Sequence, residues 1–515
     1  MLQQERELVA TATTQQQGIL YATTVSLLVR CSRADDDAIE ICRKGLDFME
    51  KQKWQDNQRL QKRWKAHFLF QMCRHQVSAC ASCDDDNVES TLDSLDSLSS
   101  SLSYEEKTVL AMTHAIRDMK RQHPDAADKW LTETATELGN AFKKNKSGDK
   151  LSLESLRAHY YLIYALNAHL SGRAGQLASE GSYPAFEELF KSMERIGDKT
   201  LQLNDLQPPL DNTCANILGE MLHANLLRVS GHGGDAAVQI EESLEHAEEK
   251  LGKEKPVIQL HLVNLEYRCL AALVVCDFQA SAKFLSRAGA LIEQYPDLLR
   301  DHVESVSLLL GQYFHSTREY DAALEVFNGV HTTMATLCAA LTELHVEKHH
   351  ATSASARMNT LKELHLNSLP THERSIVQMI NGLILCRQND STGARLLFTK
   401  SLKQAHGMIG SGQFVGQILN CLAPVQQERQ DLAGALQMFE SSATLLKSVK
   451  DLISLVTTLK GMEKLYIEMK DNDKASSCRQ YLERKSNDLT GRLQRVYDNA
   501  HHKECIALAN RLKSM

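Results

Sequence analysis

A spacing of small and aromatic residues near the middle of the chain constrains its fold more than any other feature. Gly311 and Ala323 lie twelve residues apart, where two helices of a helix–turn–helix can approach each other closely. Aromatic side chains in the same register are expected to fill the space between this helix pair and the next, and they are Phe314, Tyr320 and Phe327. The pattern therefore predicts a tightly packed pair of helices.

The same pattern recurs toward the C-terminus, which indicates a repeated unit. Most of the position-matching small residues are about 40 residues apart, and they are Ala237, Ser281, Ala323, Ala394, Ala435 and Ala475. The longest step leaves room for one poorly marked repeat around Ala354. Three further residues are expected to hold the repeats together, namely Gly382, Phe398 and Phe439. This signature predicts an all-α, tetratricopeptide-like helical-repeat superhelix (α-solenoid), with an unspecified all-α solenoid as the alternative.

Stacked helix pairs form a long curved binding surface and rarely a catalytic pocket, so the predicted fold favours a scaffold over an enzyme. Only 8 prolines, which block helix interiors, occur in 515 residues. The net charge of −7 gives no overall attraction to phosphate backbones or anionic lipid. The 13 cysteines have no regular spacing that would suggest a set of disulfides. The sequence shows neither a signal peptide nor an apolar run of the ~20 residues needed to span a bilayer. We therefore expect a soluble intracellular protein.

Shifts in composition divide the chain into four predicted parts. Residues 1–81 are expected to form N-terminal helices, and residues 104–209 a further helical region, with divergent repeats as one interpretation. Between them, residues 82–103 are rich in aspartate and serine, which compete with backbone hydrogen bonds. This stretch is predicted to be an exposed acidic, serine-rich linker. The tetratricopeptide-like repeat array is expected to occupy residues 210–515.

Several segments of the repeat region carry a resemblance to a known family. They are residues 308–316, 320–323, 382–385, 388–390, 393–395, 482–485, 492–493 and 500–502. In order and spacing, these segments resemble the tetratricopeptide subunit of the cohesin loader, the chromatid cohesion factor of the Mau/Scc type, in its plant-like branch.

That resemblance implies a function. Such subunits are not enzymes, and they wrap the extended N-terminal segment of a large HEAT-repeat loader protein of the adherin or Nipped-B type. They contact cohesin indirectly, associate with chromatin through the complex, and act in the nucleus in cohesin loading and sister-chromatid cohesion. No cofactor, membrane or small-molecule substrate is implied.

Two other classes of function remain open from the sequence. A generic tetratricopeptide adaptor of another complex, of the ubiquitin-ligase or motor type, would carry the same repeats. A helical enzyme or a direct nucleic-acid binder would need a concave polar site or a strongly basic face.

One cluster offers metal-ligand chemistry, and its members are Cys73, His75, Cys80 and Cys83. Zinc needs four tetrahedral ligands, but two residues that are two positions apart on a helix point in different directions. Ordinary thiols are therefore the favoured interpretation, and we predict no metal site.

The remaining candidate clusters also favour structural interpretations. The glycine-rich residues 231–234 follow a helical pattern and not the strand of a phosphate-binding loop. Paired histidines at 349–350 and 501–502 diverge by about 100° on a helix, so structural or surface histidines are expected. Two basic clusters are expected to be solvated faces, with nucleic-acid contact as the alternative. The first cluster comprises Lys51, Lys53, Trp54, Arg59, Lys62, Arg63, Trp64 and Lys65. The second comprises Arg479, Arg484, Lys485, Arg492 and Arg495. No catalytic residue is predicted.

Overall fold

The computed structural model describes residues 35–51, 58–79, 86–121, 123–144, 150–171, 173, 218–223, 255–346, 351–363 and 369–512. All regular secondary structure in these residues is helical, and no strand occurs among them. The predicted all-α fold is therefore confirmed. Two compact units make up the chain: the first comprises residues 1–170 and 189–215, and the second residues 171–188 and 216–515.

The first unit contains six described helices. They are α1 (Asp35–Lys51), α2 (Gln58–Ala79), α3 (Asp86–Ser97), α4 (Tyr104–Lys120), α5 (Pro124–Lys144) and α6 (Lys150–Leu170). Helix α1 packs against α2, and α4 packs against α5. Apolar side chains from all six helices form one core, which includes Met49, Phe68, Leu92, Met112, Leu131 and Ile163.

Helix α3 lies inside the stretch that the sequence predicts to be an exposed linker. Its side chains Val88, Leu92 and Leu95 are fully buried. Spaced four and three residues apart, they form one apolar stripe on a helix whose other positions are polar. Ser103 then begins α4 with a reciprocal capping box to Glu106. The linker prediction is therefore wrong over residues 86–103, because three apolar residues in helical register suffice to bury one face of a serine- and aspartate-rich segment.

Besides the helical residues 218–223, the second unit contains fourteen α-helices whose bounds the structure defines. They are α7 (Lys255–Val274), α8 (Phe278–Gln294), α9 (Pro296–Leu299), α10 (Val303–Ser316), α11 (Tyr320–Asn328), α12 (Thr333–Val346), α13 (Ala351–Glu363), α14 (Thr371–Arg387), α15 (Ser391–Gln404), α16 (Gly412–Glu428), α17 (Leu432–Ser448), α18 (Leu452–Glu468), α19 (Asn472–Tyr497) and α20 (Ala500–Leu512).

Successive helices of this unit pair into hairpins. The pairs are α7–α8, α10–α11, α12–α13, α14–α15, α16–α17 and α18–α19. The hairpin α12–α13 supplies the repeat expected around Ala354, whose side chain is fully buried. Each hairpin leaves an apolar face that only a neighbouring hairpin can cover, so the pairs stack into an array.

One backbone geometry recurs at the turns of this array. Six residues other than glycine adopt the left-handed conformation with φ between 57° and 70°, and they are Cys276, Arg318, Asn389, Gln430, Lys450 and Lys470. After five of them, an aspartate side chain accepts the N–H three residues further on, as Asp390 does from Gly393 and Asp431 does from Gly434. The carboxylate satisfies a donor that the first helical turn leaves unpaired. The recurring turn therefore begins each following helix at a fixed residue.

Groups of buried side chains connect the helices of residues 255–512 in a closed series. One group of side chains joins α7, α8, α10 and α11 with α17, α18, α19 and α20. The next group joins α12, α13 and α14, and a third joins α14, α15 and α16. A fourth joins α16, α17 and α18 and so leads back to the first. The described array therefore closes on itself, which the sequence did not predict.

Candidate interaction site

Glycine–aromatic contacts hold the two helices of a hairpin together. The ring of Phe327 fills the space where Gly311 has no side chain, and a Cβ there would lie 2.4 Å from the ring. The same relation joins Gly382 and Phe398, at 2.6 Å. Each aromatic residue lies sixteen positions after its glycine. These contacts set the closest approach of α10 to α11 and of α14 to α15.

The third aromatic residue of this series, Phe439, links two hairpins. Its ring is buried in one cluster with Ala423 of α16 and Ala435 of α17. It also lies 2.4 Å from the position of a Cβ at Gly461 in α18. Phe439 therefore packs within its own hairpin and against the next one.

The other residues that the sequence pattern predicts to pack between helices differ in how deeply they are buried. Phe314, Ala323 and Ala394 are buried in the core. Tyr320 is half-buried at the start of α11, where its ring contacts the rings of His315 and His345. The aromatic ring of Tyr320 thus packs against histidines, whereas Phe314 packs deep between helices.

The last hairpin departs from this chemistry. Arg479 lies four residues after the small residue Ala475, where three other hairpins have Phe327, Phe398 or Phe439. Its Nε lies 2.6 Å from Oε1 of Glu463 on α18. Arg479 is thus paired to a carboxylate.

The array closes where α20 packs against α8 and α10, and where α19 packs against α8. We call these contacts, together with those of the α7–α8 turn at residues 275–277, the seam. Cys505, Leu508 and Ala509 of α20 are buried there. Leu508 lies against Gly289 of α8, where an added Cβ would be 2.7 Å from the leucine side chain. Helix α20 contacts α8 more extensively than it contacts α19, its neighbour in sequence.

A buried histidine lies at the centre of the seam. His502 on α20 has its Nδ1 2.9 Å from the hydroxyl of Tyr313 and its Nε2 3.5 Å from Oε1 of Glu319. Because a carboxylate only accepts, Nε2 is the ring atom that can donate toward Glu319, and Nδ1 is the atom that can accept the Tyr313 hydroxyl proton. Burial raises the pKa of Tyr313, so its hydroxyl stays a donor. The sequence pattern identified His502 only as a structural or surface histidine, without a partner.

Further polar contacts cross the seam around this histidine. Arg492 of α19 donates to the carbonyl of Val275 at 2.8 Å, and Tyr497 donates to the carbonyl of Thr317 at 3.2 Å. Arg511 of α20 pairs with Glu293 of α8 at 2.6 Å. Ser286 donates to Glu504, and Gln279 donates to the carbonyl of Arg495 at 3.3 Å. Side-chain hydrogen bonds and ion pairs thus supplement the apolar contacts.

The other chemical candidates of the sequence lie partly outside the described residues. Cys73 is buried and His75 is half-buried in α2, whereas Cys80 and Cys83 lie outside the described residues, as do residues 231–234 and 349–350. Among the residues that the structure describes, no group of three metal-ligating side chains occurs. None of the described helices combines the length and apolar character needed to cross a membrane.

The two basic clusters are only partly described. Lys53 and Trp54 lie outside the described residues, while Lys62 and Arg63 are exposed on α2. Lys65 pairs with Glu50, and Trp64 stacks on Phe68. In the second cluster, Arg492 also pairs with Asp488, and the cations of Arg484 and Lys485 lie 5.6 and 5.7 Å from the ring of Tyr481. In both clusters, therefore, some of the cations are paired with carboxylates.

The stacked hairpins and their small–aromatic contacts define a helical-repeat protein of the tetratricopeptide type. No family model matches the chain. It is similar to the sister chromatid cohesion protein SCC4 of Arabidopsis thaliana, with 26% identity over 261 residues. The match covers 49% of this chain and 36% of that protein, so it spans about a third of the relative's length. The predicted resemblance to a cohesion factor of this type is confirmed.

Solved structures that are similar to this chain have low identities and low TM-scores. A Rap protein complexed with competence and sporulation factor has 11% identity and a TM-score of 0.38, covering 93% of this chain and 99% of its own. Yeast Tom70 has 13% identity and a TM-score of 0.33, with 98% and 96% covered. The Cut9–Hcn1 hetero-tetramer has 14% identity and a TM-score of 0.35, with 100% and 98% covered. At these TM-scores, none of them defines how the helices of this chain are arranged.

Proposed function

We propose that this chain is a non-catalytic scaffold subunit of a cohesin-loading complex in the nucleus. In this proposal it surrounds the extended N-terminal segment of a large HEAT-repeat loader subunit of the adherin or Nipped-B type, and it reaches cohesin and chromatin through that subunit. The observation that carries the proposal is the similarity to a sister chromatid cohesion protein over 261 residues.

The repeat array supports this role physically. Stacked helix pairs generally form a concave surface along which an extended peptide can lie. A disordered segment that orders on binding loses conformational entropy and compensates by burying a large surface. Wrapped interfaces of this kind reach thousands of Å2, as in obligate complexes. The chain alone is therefore expected to be poorly soluble and to be rescued by co-expression with the loader segment.

Affinity purification from cells followed by mass spectrometry tests the proposal. Recovery of a HEAT-repeat adherin together with cohesin ring subunits is the expected result. Recovery of ubiquitin-ligase or motor subunits without adherin would instead identify an adaptor of another complex.

Two variants make the test specific to the array. Ala323→Trp should lose the adherin, because Ala323 is fully buried at a helix crossing and a large ring there forces the hairpin apart. Leu396→Asp changes an exposed side chain on α15 and should retain the adherin. Equal recovery by both variants would show that the array does not hold this partner.

A further inference from the structure

We propose that three cations around Tyr481 form a binding site for a phosphate monoester, the group that a phosphorylated serine or threonine carries. We call them the cation cluster, and they are Lys447 of α17 and Arg484 and Lys485 of α19. The inference goes beyond the proposed function, because such a site would make an interaction of this chain depend on phosphorylation. It holds whichever complex the chain joins.

The ring of Tyr481 is the point around which the three cations gather. Nζ of Lys447, Cζ of Arg484 and Nζ of Lys485 lie 5.1, 5.6 and 5.7 Å from the centre of this ring. The half-buried ring packs against the core group that joins α7 and α8 with α17 to α20, and its place is therefore fixed. Because Lys447 belongs to a different helix from the other two cations, the fold and not local sequence assembles the cluster.

No carboxylate neutralises the cation cluster. Among the residues that the structure describes, none of its three members forms an ion pair, whereas Arg479 and Arg492 of the same helix pair with Glu463 and Asp488. Attraction to the face of an aromatic ring holds cations near it but supplies no negative charge. Positive charges within a Debye length of about 10 Å repel one another. A bound anion would remove this repulsion.

The acidic residues closest in sequence to the cation cluster are engaged elsewhere. Asp451 follows Lys447 by four residues, but its carboxylate caps α18 and accepts hydrogen bonds from Gln413 and Gln417. Glu483 directly precedes two members of the cluster on α19. Adjacent positions on a helix diverge by about 100°, so this carboxylate points away from them. The positive charge of the cluster is therefore available to a ligand.

The compactness of the cation cluster favours one phosphate monoester over a nucleic-acid backbone. Near pH 7, a phosphorylated side chain concentrates about −1.5 to −2 charges and three acceptor oxygens on one phosphorus atom. One guanidinium and two ammonium groups can donate charge-assisted hydrogen bonds to these oxygens. Nucleic acid presents single charges spread along a strand, and its binders carry basic stripes. A chain with a net charge of −7 repels such a polyanion outside the cluster.

A phosphorylated protein segment is the source of phosphate that this surface favours. Small phosphate compounds generally bind in concave pockets that bury most of the ligand. Here the side chains of Lys447 and Arg484 are exposed. An extended segment can bring a phosphorylated side chain to such an open site and add contacts on either side of it.

Retention on peptide libraries tests the site. One immobilised random-sequence library carries phosphoserine at its central position, and a second carries serine there. The full chain, in the complex in which it purifies, should be retained at least about tenfold more strongly by the phosphoserine library. Retention should fall as pH is lowered from about 7.5 to about 5.5, because phosphoserine loses its second negative charge near pH 6.

Charge-reversal variants assign the retention to the cation cluster. Arg484→Glu and Lys447→Glu should each lower it at least about tenfold, whereas Arg484→Lys keeps the charge and should retain most of it. Lys283→Glu is the matched control, because it makes the same change of net charge at an exposed position on α8. It should bind as the parent does. Thermal unfolding verifies that each variant is folded.

Four results would overturn the inference. Equal retention by the two libraries would show that phosphate is not recognised. Equal effects of Arg484→Glu and Lys283→Glu would show that net charge, and not the cation cluster, controls retention. Displacement of the library by duplex DNA, with retention unaffected by pH, would identify a nucleic-acid interface. Binding of inorganic phosphate as tightly as phosphoserine peptides would identify a site for a small phosphate compound.

Discussion

Gly311 and Phe327 illustrate how one side chain sets the distance between two helices. A glycine in a helix interior is destabilising by ~0.5–1 kcal/mol relative to alanine, so its presence needs a compensating contact. At this position the compensation is the buried ring of Phe327, which occupies the space of the missing side chain. The sequence pattern predicted a close helix approach at Gly311, but it assigned Phe327 to the space between this helix pair and the next, whereas the ring packs within its own hairpin.

Replacing this glycine tests the contact. Gly311→Ala should lower the free energy of unfolding by about 1–3 kcal/mol, because the added Cβ overlaps the ring of Phe327 in a filled core. Chemical denaturation of the purified protein or of its complex measures the change.

A matched control lies on α19. Gly491 is also helical, but an added Cβ there meets nothing within 4 Å. Gly491→Ala should therefore raise stability by about 0.5–1 kcal/mol through helix propensity alone. The same sign of change in both variants would contradict the close helix approach at Gly311.

Glu266 shows a second effect at this scale, the cost of burying a charge. Burial raises the pKa of its carboxyl from 4.5 to about 7, and a hydrogen bond from Ser305 opposes the rise only in part. The folded state therefore binds this proton more tightly than the unfolded chain does. Stability from this group is complete below pH 4.5 and is lost as pH rises to about 7.

Glu266→Gln removes this dependence on pH. At pH 8 the variant should be more stable than the parent, by roughly 3 kcal/mol at most, and near pH 4.5 the two should be nearly equal. Urea denaturation at the two pH values measures the difference. Glu304→Gln, at an exposed position of α10, serves as the control, and an equal gain from it would refute the argument from burial.

At the scale of elements, the turns carry a pattern that the sequence analysis missed. In four hairpins the small residue lies four positions after a capping aspartate: Asp277 and Ser281, Asp390 and Ala394, Asp431 and Ala435, and Asp471 and Ala475. Glycine, the usual residue at such turns, does not mark them, because none of the turns before these four aspartates has a glycine at its left-handed position.

Asp431 tests the value of this turn. Asp431→Ala should destabilise the array by about 1 kcal/mol, since the N–H of Gly434 loses its acceptor. Asp431→Asn keeps an oxygen at the same place and should retain most of the stability. Thermal or urea unfolding compares the two, and an equal loss would mean that the capping oxygen is not what matters.

Element prediction failed where local composition concealed a buried face. Helix α3 was predicted as linker because serine and aspartate dominate it, yet tertiary contacts of Val88, Leu92 and Leu95 hold it in the core. Arg479 was considered only as part of a basic cluster. Its role as the partner of Glu463 becomes visible when it is placed at the aromatic position of the repeat.

At the scale of the whole molecule, the repeats could be predicted and their closure could not. Local spacing fixes the pairing of helices, whereas closure depends on small rotations between hairpins that add up along the array. Seam residues such as His502 and Leu508 therefore carry no local signal, because their partners Tyr313 and Gly289 are about 200 residues away.

The distance between α8 and α20 tests the central claim that the array closes on itself. Lys283 and Lys503 are exposed on these two helices, and probes attached there through noncanonical amino acids avoid the 13 native cysteines. Packed helix axes lie about 8–10 Å apart, so a pulsed spin-label measurement should give one short, narrow distance distribution. A long or broad distribution in the purified complex would show an open superhelix and contradict the account.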